Sequence, residues 1–229
     1  MPGAERTQLF DDWPEKYERW FATPLGSLVK QVEWDLVADF LRPGPGDLIL
    51  DAGCGTGIFT GDMLSCGARV VGLDLSLAML RRAGQKTQGS PLRLLAADLL
   101  RLPFPDHSFP KAVSITALEF IHDGRQAVGE LFRVTRKGGT VVAATLNSLS
   151  PWAERRREEG RKGHPLFSRA FFRSPAELAA LAPAAGEIRT AVHFPKEESP
   201  ERARRVEEEG RRKGWDRGAF LAARWIKPA

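Results

Sequence analysis

Between residues 48 and 145, five short apolar runs alternate with helix-type stretches, and this rhythm constrains the fold more than any other feature. The runs are Leu48–Asp51, Arg69–Asp74, Leu92–Ala97, Ala112–Thr116 and Thr140–Thr145. Between them the pattern predicts helices over Ile58–Ser65, from a Ser76 cap through Arg82, and over Gly124–Val134, the last closed by Gly138-Gly139. Strands that alternate with helices form a parallel sheet covered on both faces. The near-continuous apolar character of the runs agrees, because such strands are buried on both sides. Glu187–Phe194 and Gly218–Ile226 read as two further strands.

Two regions lie outside this rhythm. Residues 9–45 hold Phe10, Trp13, Tyr17, Trp20, Phe21 and Trp34, well above the 9% aromatic share of the chain, and end at the turn Pro43-Gly44-Pro45-Gly46. Residues 147–186 read as mostly helical and polar around the apolar patches Pro165-Leu166-Phe167 and Phe171-Phe172. No internal repeat is visible, so the expectation is one domain over 1–229. Its parts are an aromatic helical segment at 1–46, a core at 47–146, a helical cover at 147–186, and a strand pair at 187–229 with a charged insertion at 195–217.

The formal net charge of +5 is unevenly placed. Residues 1–149 carry 16 basic and 17 acidic side chains, whereas residues 150–229 carry 18 and 12. A basic excess attracts nucleic acid or an anionic membrane surface. Here, however, Glu and Arg interleave at helical spacing within 154–162 and 201–213, the pattern of solvated helix faces, without aromatics between them to stack on bases. Nucleic acid is therefore not an expected partner. No run approaches the roughly 18 apolar residues of a membrane span, and Met1-Pro2-Gly3-Ala4-Glu5-Arg6 leads into no apolar signal segment. Cys54 and Cys66 are too few for a disulfide framework, and no His or Asp spacing suggests a metal site. A soluble, cytoplasmic protein is expected.

The segment Leu50-Asp51-Ala52-Gly53-Cys54-Gly55-Thr56-Gly57 joins a strand to a helix. Glycines there let backbone approach a ligand, and a helix N-terminus favours polar or anionic groups. A dinucleotide fingerprint needs Gly-x-Gly-x-x-Gly, but its third position falls on Ile58 or on Thr60 in the two available registers. A phosphate loop needs a Lys after the glycines, and none follows. Both are excluded by spacing.

The sequence resembles class I S-adenosylmethionine-dependent methyltransferases, most closely the small-molecule branch that includes ubiquinone and menaquinone C-methyltransferases. Their first motif is matched by Asp51-Ala52-Gly53-Cys54-Gly55-Thr56-Gly57. The acids that end their second and third strands are matched by Asp74 in Val71-Gly72-Leu73-Asp74 and Asp98 in Ala96-Ala97-Asp98-Leu99. Glu130-Leu131-Phe132-Arg133-Val134-Thr135-Arg136-Lys137-Gly138-Gly139 matches the signature before the fifth strand, with Lys137 where Pro is common. The resemblance implies an α/β, Rossmann-like doubly wound sheet of seven mostly parallel strands, the last antiparallel, with helices on both faces and a helical cover. It implies S-adenosylmethionine as cofactor, S-adenosylhomocysteine as product and a small-molecule acceptor. Protein or RNA methylation through the basic C-terminal region, or cofactor binding without turnover, are the alternatives.

The same resemblance assigns roles. Backbone at Gly53, Cys54, Gly55 and Gly57 would bind the methionine end of the cofactor, with Asp51 positioning its ammonium. Asp74 would accept the ribose hydroxyls, a task one carboxylate does well. Asp98 would take the adenine amino group, with Leu99 offering backbone N–H, and Leu75 and Met79 packing on the ring. Tyr17, the only tyrosine, would close over the methionine end, with Trp13 and Trp20 as alternatives. Ala117 follows the fourth strand and would touch the cofactor. Methyl transfer is an in-line displacement, so alignment and water exclusion supply most of the acceleration. A general base is needed only if the acceptor must lose a proton. His122 is the candidate by position, ahead of His107, His164 and His193. The acceptor pocket is expected between the N-terminal aromatics and the cover, lined by Trp152, Phe167, Phe171 and Phe172, which favours an apolar or aromatic acceptor.

Overall fold

A computed structural model describes residues 9–229; the expectations for residues 1–8 lie outside the described residues. The core alternation runs β1 (Leu48–Ala52), α3 (Ile58–Ser65), β2 (Arg69–Asp74), α4 (Leu77–Lys86), β3 (Leu92–Ala96), β4 (Phe109–Ile115), α5 (Gly124–Val134) and β5 (Thr135–Leu146). It is preceded, among the described residues, by α1 (Pro14–Phe21) and α2 (Pro24–Leu41), with residues 9–10 also helical. After it come α6 (Pro151–Arg161), α7 (Pro175–Ala179), β6 (Glu187–Ala191), α8 (Pro200–Lys213) and β7 (Phe220–Ile226).

The seven strands form one sheet in the order β3-β2-β1-β4-β5-β7-β6. The pairs among β1 to β5 are parallel, and β7 runs antiparallel to both its neighbours. This is the expected doubly wound arrangement with an antiparallel last strand. The order reverses between β1 and β4, and in open α/β sheets ligands bind at the carboxyl ends of the strands beside such a reversal.

Side-chain alternation along the strands divides the core into two layers. Ile49, Val113, Val142, Ala144 and Ala222 face a cluster built on α2 and α3, including Val29, Val32, Phe40, Phe59 and Met63. Their neighbours Leu50, Ala112, Val141, Ala143 and Ala223 face a second cluster with Val128, Leu131 and Leu178 from α5 and α7. Helices therefore cover both faces.

Several of the helices, α4 and α5 among them, start where a short polar side chain satisfies a free amide. Ser76 Oγ accepts from Met79 N at 3.3 Å, and Asp123 Oδ1 accepts from Gln126 N at 2.9 Å. The α5 stop differs from expectation. Thr135 already turns extended at φ −79, ψ 142, and its N–H closes the helix on Leu131 O. Gly138-Gly139 instead lies inside β5, where Gly138 N donates to Lys227 O and Lys227 N to Gly139 O, both at 2.9 Å. The glycines serve a bulge whose close approach to Pro110 O leaves no room for a Cβ at Gly139.

The N-terminal helix is fastened across the strand ends. Glu18 of α1 accepts from Arg82 Nε and Lys86 Nζ of α4, each at 2.7 Å. Ser76 Oγ donates to Asp11 Oδ1 at 2.7 Å. No helix among the described residues is long and apolar enough to cross a membrane.

Candidate active site

The β1–α3 turn is shaped by what surrounds it. Gly53 sits at φ +83, and a Cβ there would fall 2.5 Å from the Cβ of Ala117, so only glycine allows the two loops to meet. Gly53 N and Cys54 N both donate to Leu73 O, at 2.7 and 2.9 Å, which ties the turn to the end of β2. Gly57, at φ +76, is the N-cap of α3; its missing side chain lets α3 approach Ala83 of α4. Cys54 fills the space under Gly72, and burial pushes its thiol pKa well up, consistent with a packing role.

Three acids leave three strand ends beside this turn. Asp51 is buried and accepts from Thr60 Oγ1 at 2.6 Å. Burial raises its pKa to about 7 against the lowering effect of the Thr60 hydrogen bond, with Asp74 adding repulsion. Asp74 is held from below: Gly55 N donates to Oδ2 and Ser76 N to Oδ1, both at 2.9 Å. Its pKa is raised, by burial first, with these amides opposing. Asp98 accepts from Leu100 N at 2.9 Å, which fixes the turn after β3.

The end of β4 is strained. Thr116, a β-branched residue, lies at φ +52, a conformation that costs on the order of 1–3 kcal/mol and clusters at functional sites. Its N–H is anchored on Ala144 O at 2.9 Å. The turn delivers Ala117 to Gly53 and starts the 3₁₀ segment Leu118–Phe120. Tyr17 of α1 lines the same cavity as Thr116, and desolvation pushes its phenol pKa upward, so it stays protonated.

All these groups face one cavity of about 350 Å³, within the range of small-molecule sites. Tyr17, Asp51, Gly53, Cys54, Gly55, Asp74, Leu75, Met79, Asp98, Leu99 and Ala117 all line it. Gly57 does not; it lies behind the turn as a helix cap.

The acceptor side departs from expectation in part. Trp152 and Phe167 line the cavity, but Phe171 and Phe172 do not. Phe171 is 41% exposed and meets His122 edge to face with centroids 5.4 Å apart, while Phe172 lies under Arg157. His122 is corrected with them. The extended Ile121 (φ −113, ψ 117) alternates side chains, so Ile121 enters the cavity wall and His122 is turned to solvent.

The wall instead contains Glu33, Glu119 and Arg156, none of which the sequence reading chose. Glu33 is 8% and Glu119 2% exposed. Burial raises the Glu33 pKa to about 8 and that of Glu119 to about 7; Arg156 lowers both, while Glu119 further raises Glu33. Glu119 Oε2 also accepts from Thr145 Oγ1 at 3.2 Å. The Arg156 guanidinium lies 5.2 Å from the Trp152 ring centre and 5.8 Å from that of Phe167. A sequence signal existed for two of the three. Glu33 is four residues from both Val29 and Val37 on the buried face of α2, and Arg156 is four residues from Trp152 on α6.

Comparison with known proteins agrees with this geometry. Residues 50–143 match the family described as "Methyltransferase domain". The chain is 33% identical over 144 residues to a demethylmenaquinone methyltransferase of Renibacterium salmoninarum, covering 62% of this chain and 59% of that protein. It is 43% identical over 102 residues to a malonyl-[acyl-carrier protein] O-methyltransferase of Pseudescherichia vulneris, covering 44% and 40%. The chain thus spans about three fifths or less of the length of these curated relatives. Among solved structures, a SAM-dependent methyltransferase of Thermotoga maritima, described as a possible histamine N-methyltransferase, superposes with a TM-score of 0.76 at 24% identity, covering 97% and 99% of the two chains. Residues 50–143 thus resemble the methyltransferase-domain family, and the β-strand order and superposition give the chain the Rossmann-like fold that this solved methyltransferase shares.

Proposed function

We propose that the chain transfers the methyl group of S-adenosylmethionine to a small molecule held in the cavity, by in-line displacement. The observation that carries this reading is the convergence of Asp51, Asp74 and Asp98, from the ends of three successive strands, on one cavity beside the open backbone of Gly53.

The donor set fits the cofactor. Asp74 is preorganised by two backbone amides, so its carboxylate can accept two ribose hydroxyls without reorienting. The Asp98–Leu99 turn offers the acceptor and donor that an adenine edge needs, while Leu75 and Met79 supply apolar contact for its faces. Gly53, Gly55 and Asp51 present backbone and carboxylate to an amino-acid end, which Tyr17 covers. When bound, the cofactor supplies a methyl group activated by a sulfonium leaving group. The chain's own contribution is to orient the acceptor and exclude water, through the walls of Trp13, Trp20, Trp152 and Phe167.

Calorimetric titration with S-adenosylmethionine, S-adenosylhomocysteine and NADH, repeated on Asp74→Ala, tests the reading. Binding of the first two, weakened at least ~30-fold (about 2 kcal/mol) in the variant, is expected. Binding of NADH alone, or of none, would refute it.

A further inference from the structure

Glu33 and Glu119 reach the cavity from unrelated places, α2 and the turn after β4. Buried carboxylates are costly unless paired, and here the pairing is incomplete. Arg156 lies within electrostatic reach of both, yet among the described residues it forms no ion pair with either, and its Nη1 is buried without a hydrogen-bond partner. The guanidinium is instead stacked on Trp152 and Phe167. One guanidinium balances at most one of two carboxylates.

Asp51 faces the same space and adds a third acid. Arg173, also buried, adds a second cation near Glu119 while donating to Leu118 O and Ile121 O at 2.7 and 2.9 Å, so three acids face two guanidiniums here. Lys16 and Lys196 stand over Trp13 and Trp20, and Arg155 is paired with Glu159 and Glu197. The buried acids therefore lie deeper than Lys16, Lys196 and Arg155, among aromatic faces whose π systems attract positive charge.

From this geometry we infer that the methyl acceptor is an amine with an aromatic or apolar body, its nitrogen seated between Glu33 and Glu119 and its body against Trp20, Trp152 and Phe167. The inference deepens the methyltransferase reading and rests on it. An ammonium entering the site completes the charge balance that Arg156 begins. It then gives one proton to a carboxylate oxygen: the N–H bond breaks, an O–H bond forms, and the electron pair stays on nitrogen as the nucleophile. A carboxylate that titrates near neutrality is suited to that exchange.

The test uses the full chain saturated with S-adenosylhomocysteine and titrated with tryptamine and phenethylamine, against tryptophol and indole-3-acetate, which lack the amine. At least one amine is expected to bind ten times or more tightly than the alcohol and the acid. Glu33→Gln and Glu119→Gln are each expected to abolish that preference while leaving S-adenosylhomocysteine affinity within twofold. The inference is overturned if neither amine binds, if the neutral or acidic probes bind as well, or if the Gln variants lose S-adenosylhomocysteine in parallel. That last result would assign the acids to the cofactor's amino-acid end. Failure of the methyltransferase reading itself is separate, since the wild-type chain would then not bind S-adenosylhomocysteine at all. Thermal unfolding of each variant verifies folding.

Discussion

The two ends of the cavity are built in opposite ways. At the end we propose for the cofactor, Asp51, Gly53, Asp74 and Asp98 belong to strand ends and tight turns, and backbone amides hold the turn and Asp74: Gly53 N on Leu73 O, and Gly55 N and Ser76 N on Asp74. At the acceptor end, Glu33, Glu119 and Arg156 are side chains from two helices and a 3₁₀ turn, more than 120 residues apart at the extremes and incompletely paired. The first end is held by backbone; the second rests on side chains that single substitutions can change. That contrast is how one fold serves many acceptors, since function resides in the site rather than the fold.

The sharpest way to break the contrast is at Gly53. Gly53→Ala forces a Cβ to 2.5 Å from Ala117 at φ +83, and a loss of S-adenosylhomocysteine affinity of ~100-fold or more (about 2.7 kcal/mol) is expected by calorimetry. Gly61→Ala on the neighbouring α3 meets nothing within 4 Å and should leave binding unchanged while raising stability by about 0.5–1 kcal/mol. Equal losses in both would remove the claim that the turn is sterically fixed.

At the other end, Arg156→Met withdraws the cation that faces Glu33 and Glu119. The variant should be destabilised by up to about 3 kcal/mol at pH 8, where the acids are most ionised, and by clearly less at pH 6, where they take up protons. Urea unfolding at the two pH values measures this, and a pH-independent loss would mean that Arg156 acts by packing alone.

A smaller effect sharpens the electrostatics. Asp51, Glu33 and Glu119 have folded pKa values raised to about 7, 8 and 7, so the folded chain binds more protons than the unfolded one between the ordinary carboxylate range and pH 8. Their contribution is fully present below pH 4 and is lost as pH rises through the folded values, so the ligand-free chain should lose stability from pH 5 to pH 8 through these groups. Glu33→Gln should flatten this slope in thermal unfolding, and an unchanged slope would contradict the assignment. The smallest effect is expected from His122→Ala. That ring is solvent-exposed, so S-adenosylhomocysteine affinity and turnover should stay within twofold in calorimetry and a methyl-transfer assay.

The same contrast explains what could be read without coordinates. The acids and glycines proposed for the cofactor could be placed on one cavity from sequence because they lie at or just after strand ends, and Gly-rich turns and strand-end acids are local signals. The sheet was legible for a related reason: β2, α3 and α5 fall within the bounds that alternation and caps suggest. Where the reading failed, a distant contact decided. Gly138-Gly139 resembles a helix stop, but it lies inside β5, bonded to Lys227 just after β7 and within the register shift against β4. His122 sits beside the site in sequence, yet one step of extended chain turns it outward. Arg156 was hidden in a run of charges that reads as a solvated face, and only the packing of α6 on the 3₁₀ turn at Phe167–Arg169 turns it inward. Glu33 was visible as an acid on an apolar helix face, but its partners, Glu119 and Arg156, are fixed only by tertiary structure.

The most direct measurement is a side-by-side titration of S-adenosylhomocysteine into the wild-type chain, Asp74→Asn and Glu119→Gln, with folding verified by thermal unfolding. The division of the cavity predicts at least ~10-fold weaker binding for Asp74→Asn, about 1.4 kcal/mol, and wild-type affinity for Glu119→Gln. Undiminished binding in Asp74→Asn, or an equal loss in both, would contradict it.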